Sequence, residues 1–227
     1  MEDPDTQLIV DTCQSIVGAK ISLSYSIVFA DGSSNTSKFS NCNIVGDVME
    51  SVIYPPLKKS VPTLEEGPKQ DSPDYWNRDR TFELEQKTFM GTPGFDIGSI
   101  TGYISSLARP GGVNRKLYKT KYIIFEYILK NDEAEVKQFW SLSVWDLCGA
   151  YGGKKPINIG GGKGVNIRPA TKNQWTSPEG TNLRTPTKFL DMIEALIGSI
   201  WYKEPEIDKQ HNLRSIQEQR AKLNIWV

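Results

Sequence analysis

Apolar positions fall along the chain in two periods. Between Pro4 and Val17, Ile9, Cys13, Ile16 and Val17 share one helical face, Leu8 and Val10 widen it, and Gly18 supplies a stop. The pattern predicts an N-terminal helix that packs on the core or on a neighbouring subunit. Ile21, Leu23, Tyr25, Ile27 and Phe29 then alternate with small polar residues, the clearest half-buried strand in the chain. Asp31 to Asn35 turns the chain, and Lys38 to Val45 reads as a weaker returning strand. A short helix is expected over Asp47–Ile53, ended by Pro55-Pro56. From Pro55 to Pro73 the residues are rich in Pro, Lys, Glu and Ser, which predicts a long surface loop.

Thr81–Phe89 and Ser99–Leu107 read as short strands. Tyr122–Leu129 is apolar on both faces, as a central strand would be, and Val136–Leu147 returns after a turn at Asn131–Glu135. Thr185 and Pro186 suit a helix start, and Phe189, Ile193, Leu196, Ile197 and Ile200 form its apolar stripe, ending in Trp201. A polar stretch over Glu204–Arg220 adds one more helix. Together these elements predict a single α+β domain over residues 1–227, an antiparallel β-sandwich core with peripheral α-helices and an N-terminal helix. Residues 1–18 form a helical arm suited to subunit contacts.

Charge narrows the function classes. The 27 basic and 27 acidic side chains cancel. That balance argues against a dedicated nucleic-acid binder and favours association. No basic run longer than Lys154-Lys155 stands out. Cys13, Cys42 and Cys148 are odd in number and widely spaced, which reads as reduced, mostly buried thiols. The acidic N-terminus has no apolar run of secretory length, and no stretch is long and apolar enough to span a membrane.

Candidate chemistry is sparse. His211 is the single histidine, set among polar residues, and no serine carries a nucleophile-elbow pattern. No two cysteines have zinc-ligand spacing. The cluster Asp132-Glu133-Glu135 lacks the rhythm of a calcium loop and reads as a solvated hairpin tip. In the glycine-rich stretch Ala150–Pro169, a P-loop fails because Ile157 stands at the first glycine position and Gly164 at the Ser/Thr position. A dinucleotide fingerprint fails at Val165. What survives is a generic anion or nucleotide site at Gly160, Gly161, Gly162, Lys163 and Arg168, where closely spaced backbone N–H groups meet cations. The other reading is a connecting loop. No catalytic and no metal-ligating residue is assigned. Most aromatics read as core, with Trp76 and Trp175 as the exposed candidates for stacking.

Three features in order resemble the cypovirus polyhedrins, insect-virus proteins that crystallise inside infected cells. They are SLSYSIVFADGS (Ser22–Ser33) after an N-terminal helix, VGDVMESV (Val45–Val52) before a polar insertion, and FLDMIEALIGSIW (Phe189–Trp201) near the end. The resemblance implies a non-enzymatic, trimer-forming structural protein. It would assemble into cytoplasmic occlusion bodies around virus particles, with no membrane and no specific nucleic-acid partner. It also implies no cofactor beyond a trapped nucleotide, and dissolution in alkali, to which 19 Lys, 9 Tyr and 3 Cys would contribute by losing protons. Two alternatives stand beside it: an RNA-binding capsid protein or nucleoprotein, and a nucleotide- or sugar-binding module using the loop 152–168.

Overall fold

The computed structural model describes residues 4–38, 42–68, 72–131, 133–149, 155–160, 165–176 and 185–223. The α+β class holds. The chain forms two compact units, unit 1 from residues 1–91 and 122–141, unit 2 from residues 92–121 and 142–227.

Unit 1 opens with α1 (Pro4–Ser15), which buries Ile9 and Cys13 against α2 (Cys42–Ser60). Between them lie β1 (Lys20–Ser22), β2 (Ser24–Val28) and β3 (Ser34–Lys38). The alternating run that predicts one half-buried strand is therefore divided between two sheets. Ile21 and Leu23 enter the core, whereas Ile27, Val28 and Phe29 are exposed on or beside a β2–β3 ribbon that, among the described residues, joins no other strand. The returning strand expected over Lys38–Val45 is β3, at Ser34–Lys38; residues 39–41 lie outside the described residues, and α2 starts at Cys42.

Helix α2 does not stop at its prolines. Val45, Met49, Ile53 and Leu57, followed by Val61 just past its end, recur every fourth residue and are all buried. Each such burial is worth about 1.5–3 kcal/mol, against about 3 kcal/mol for an interior proline, so the stripe carries the helix through Pro55 and Pro56. The predicted loop beyond also contains structure: β4 (Leu64–Glu66) pairs antiparallel with β5 (Tyr75–Asn77), which pairs antiparallel with β6 (Glu83–Phe89).

The chain then enters unit 2 through β7 (Gly98–Ser99), α3 (Ile100–Ala108), α4 (Gly112–Asn114) and a π-helical turn, Arg115–Lys119. The strand expected over Ser99–Leu107 is the helix α3. Its buried residues Ile100, Tyr103, Ile104, Leu107 and Ala108 follow a helical period, and Ser99 caps it by accepting the Gly102 N–H at 3.1 Å. Strands β8 (Thr120–Lys130) and β9 (Glu133–Leu142) complete a mixed six-stranded sheet in the order β1-β9-β8-β6-β5-β4. A six-stranded mixed sheet with helices, beside a small β10-β11-β7 sheet and the β2-β3 ribbon, stands where two facing antiparallel sheets were expected. Its core includes Leu84, Ile123, Phe125, Tyr127, Val136 and Phe139.

The rest of unit 2 contains α5 (Val144–Leu147), β10 (Ile159–Gly160), β11 (Asn166–Ile167), α6 (Lys172–Thr176), α7 (Pro186–Ile197) and α8 (Glu206–Leu223). Thr185 caps α7 as expected, accepting the Lys188 N–H at 3.2 Å, and Phe189, Ile193, Leu196 and Ile197 are buried. Ile200, assigned to the same stripe, is exposed. Gln219 of α8 ties two elements together: its amide donates to the Leu107 carbonyl at 2.8 Å and accepts the Val113 N–H at 3.0 Å. Among the described residues, no helix is long and apolar enough to cross a membrane.

Candidate active site

One face of strand β6 in the unit 1 sheet collects ionisable groups that a core would exclude. Strand β6 reads Glu83-Leu84-Glu85-Gln86-Lys87, and the period of two puts Glu85 and Lys87 on one face. Tyr75 pairs with Leu84 across β5 and β6, so the preceding residue, Asp74, stands beside Glu85. Asp74 is fixed from both ends. Its carboxylate accepts the Gln86 N–H at 2.6 Å, and its carbonyl accepts the Gly67 N–H at 2.6 Å. Gly67 is required at that close approach, because a Cβ there would overlap the Pro73 carbonyl oxygen.

Lys87 donates to Glu85 Oε1 at 2.7 Å, with the two side chains 21% and 9% exposed. The other oxygen, Glu85 Oε2, is buried without a hydrogen-bond partner among the described residues. A buried carboxylate oxygen left unpaired is expensive, and such an atom marks a place where a further group belongs. A cavity of about 310 Å³ adjoins Asp74 and is lined also by Asp47, Glu50 and Ser51 of α2, Glu66, Gly67 and Tyr75. Tyr75 is held in place from behind: it stacks on Tyr54 at 5.4 Å, and its hydroxyl donates to Gln86 Oε1 at 3.0 Å.

The electrostatics follow from crowding. Burial, then repulsion from Glu85, raises Asp74 from 3.8 to about 7, against the opposing pull of Lys87 and the Gln86 N–H. Desolvation raises Glu50 at the cavity mouth in the same direction, opposed by Lys87. For Lys87, burial alone would lower the pKa, but Glu85, its hydrogen bond, Asp74 and Glu50 outweigh that and raise it. Lys87 is therefore an ammonium at neutral pH. Among the described residues, no three Asp, Glu, His or Cys side chains form a ready-made metal cage.

A family model for the NgoBV restriction endonuclease matches residues 35–220, most of the chain and all of the elements just described around Asp74, Glu85 and Lys87. The chain belongs to that restriction endonuclease family. Among solved structures, it is similar to the NlaIV restriction endonuclease with a TM-score of 0.70 and 19% identity, over 95% of this chain and 89% of that one. No curated protein matches the sequence.

Family membership overturns the polyhedrin reading, and with it the non-enzymatic structural role, the virus-particle partner and the occlusion-body location. The RNA-binding capsid protein and the nucleotide- or sugar-binding module gain no support either. The three quoted patterns are helix and strand periodicities that many α+β proteins share. The exclusion of a specific nucleic-acid partner also falls. It rested on net charge, which sums over the chain and hides how charge is distributed along it.

Of the anion site read from the sequence, Gly160 lies in β10 and Arg168 just beyond β11, and the two are neighbours. The Arg168 guanidinium already holds a carboxylate, Asp96, at 2.9 Å. Gly161, Gly162 and Lys163 lie outside the described residues. Trp175 is buried, donating its indole N–H to the Leu147 carbonyl at 3.2 Å. Trp76 donates to Glu65 and lies under Arg80, 4.1 Å from the ring centre. His211 is exposed, and Cys13 and Cys148 are buried free thiols, as expected.

Asp74, Glu85 and Lys87 escaped the sequence reading. The available signal was a carboxylate and a lysine two residues apart inside a predicted strand, with a second carboxylate shortly before it.

Proposed function

We propose that this chain hydrolyses phosphodiester bonds of double-stranded DNA, with Asp74, Glu85 and Lys87 as its catalytic residues. The observation that carries the reading is the meeting of two carboxylates and an ammonium on β6 and just before β5, with Glu85 Oε2 buried and, among the described residues, unpartnered.

The donor set fits a hard divalent cation such as Mg²⁺. That ion is ordinarily held by one or two carboxylates plus water and substrate phosphate, so a three-carboxylate cage is not required. Asp74 and Glu85 would hold it, and the ion would neutralise charge on the phosphate and lower the pKa of a bound water. The raised pKa of Asp74 describes carboxylates crowded together without such a charge.

In the metal-free chain Lys87 is an ammonium. Its ammonium is anchored on Glu85 and supplies positive charge where negative charge gathers on the phosphoryl oxygens. The Gln86 N–H fixes the Asp74 carboxylate, and Tyr75 fixes the Gln86 side chain, so the pair is oriented before substrate arrives. Incubating plasmid DNA with the protein and Mg²⁺ should give cleavage that a chelator stops. Glu85→Gln and Lys87→Met should each lower the rate by about 10²-fold or more while the fold persists. Wild-type rates in both variants would overturn the assignment.

A further inference from the structure

Zero net charge conceals a division between the two units. Unit 1 carries 10 basic and 18 acidic side chains, a net of −8, and unit 2 carries 17 basic and 9 acidic, a net of +8. A DNA duplex presents one negative charge per ~1.7 Å, so it is repelled by the unit that contains the carboxylate site. Long-range attraction has its source in the other unit.

Within unit 2 part of the basic charge lies in a segment without carboxylates. Residues 97–121 contain Arg109, Arg115, Lys116, Lys119 and Lys121 and no Asp or Glu. Arg109 is exposed at the C-terminus of α3. The π-helical turn Arg115–Lys119 sorts its side chains: Lys116 and Leu117 are buried, Arg115 and Lys119 are half-buried, and Tyr118 is 49% exposed. Lys116 lies 5.8 Å from the Tyr103 ring, while Tyr118 packs beside Trp145 at 6.1 Å. Cations interleaved with an outward aromatic, on a turn of a kind frequent at functional sites, suit a sugar–phosphate backbone.

We infer that unit 2 is the phosphate-gripping half of the chain, and that Arg109, Arg115 and Lys119 are positioning residues that hold the DNA backbone. This rests on DNA being the substrate of the Asp74 site. The same +8 could instead meet the −8 of a second copy, and the experiment separates the two.

The full-length protein, in chelator so that nothing is cut, is titrated against a fluorescently labelled duplex by anisotropy between about 50 and 200 mM salt. Two triple variants remove equal charge: Arg109→Gln/Arg115→Gln/Lys119→Gln in unit 2, and Lys20→Gln/Lys59→Gln/Lys130→Gln in unit 1. The unit 2 triple should weaken binding at least tenfold and reduce the salt slope by about 2.7, since each phosphate contact contributes about 0.9. The unit 1 triple should leave the slope unchanged. Arg109→Gln alone, at an exposed position, should remove about 0.9 of slope and serves if the triple fails to fold. Equal losses in both triples, an unchanged slope in the unit 2 variants, or loss of self-association with DNA affinity intact would overturn the inference. Wild-type protein that neither binds nor cuts DNA would instead refute the nuclease reading itself.

Discussion

Replacing Asp74 by asparagine should make the metal-free protein more stable, although it removes one of the carboxylates proposed as catalytic. In the folded chain burial and Glu85 hold Asp74 at about 7, against an ordinary 3.8. The folded state therefore binds the extra proton between those two values. Stability contributed by this group is full below about pH 4 and is lost as pH rises toward 7. At about 1.4 kcal/mol per pKa unit, ionising Asp74 costs the folded state up to about 4 kcal/mol by pH 8. An asparagine cannot ionise and keeps an oxygen for the Gln86 N–H, giving up about 1 kcal/mol of charge-assisted bonding. The net expectation is a gain of about 3 kcal/mol at pH 8, shrinking to a small loss near pH 4. Thermal unfolding followed by circular dichroism in chelator reads this as a Tm advantage of about 6–12 °C at pH 8. Mg²⁺ should raise the wild-type Tm and narrow the gap, because it binds the ionised carboxylate. A difference that does not change with pH, or a variant melting below wild type at pH 8, would refute the crowding argument.

Gly67→Ala places a methyl group against the Pro73 carbonyl and strains the bond from Gly67 N–H to Asp74. It should destabilise by about 1–3 kcal/mol in denaturant titration and reduce cleavage by up to about 10²-fold through displacement of Asp74. Burial raises the Cys13 thiol to about 12, so it should resist alkylation near pH 8 in the folded protein and react once denaturant is added, as read by mass spectrometry. Rapid alkylation without denaturant would contradict its place between α1 and α2.

Periodicity carried the sequence reading where burial and period coincide. The N-terminal helix, β8, β9 and the α7 stripe were legible because one face of each meets the core. It failed where two rules competed. Pro55-Pro56 argued for a stop, yet the four-residue spacing of Val45, Met49, Ile53, Leu57 and Val61 argued for continuation, and the buried area is the larger effect. Over Ser99–Leu107 a capping serine and a helical period were both present, and they outweigh the strand expected there. At Ile21–Phe29 the alternation was real and its cause differed, since Ile21 and Leu23 face a core whereas Ile27 and Phe29 are exposed.

The Asp74–Glu85–Lys87 cluster and the charge division were hidden for a related reason: both depend on which residues the fold places together. Glu85 and Lys87 were visible as a strand pair, but nothing local says that Asp74 will stand opposite Glu85. That placement comes from the β5–β6 register, Tyr75 with Leu84, and from Gly67 closing on Asp74. Net charge fails similarly, because cancellation over 227 residues is compatible with uniform mixing and with two oppositely charged units. For a nuclease the second arrangement has a physical logic. A cation-binding site needs carboxylates close together, which repels a polyanion, so the cations that attract the polyanion are most effective where they do not neutralise those carboxylates. Separating the two charges into different units of one chain satisfies both demands while leaving the sum at zero.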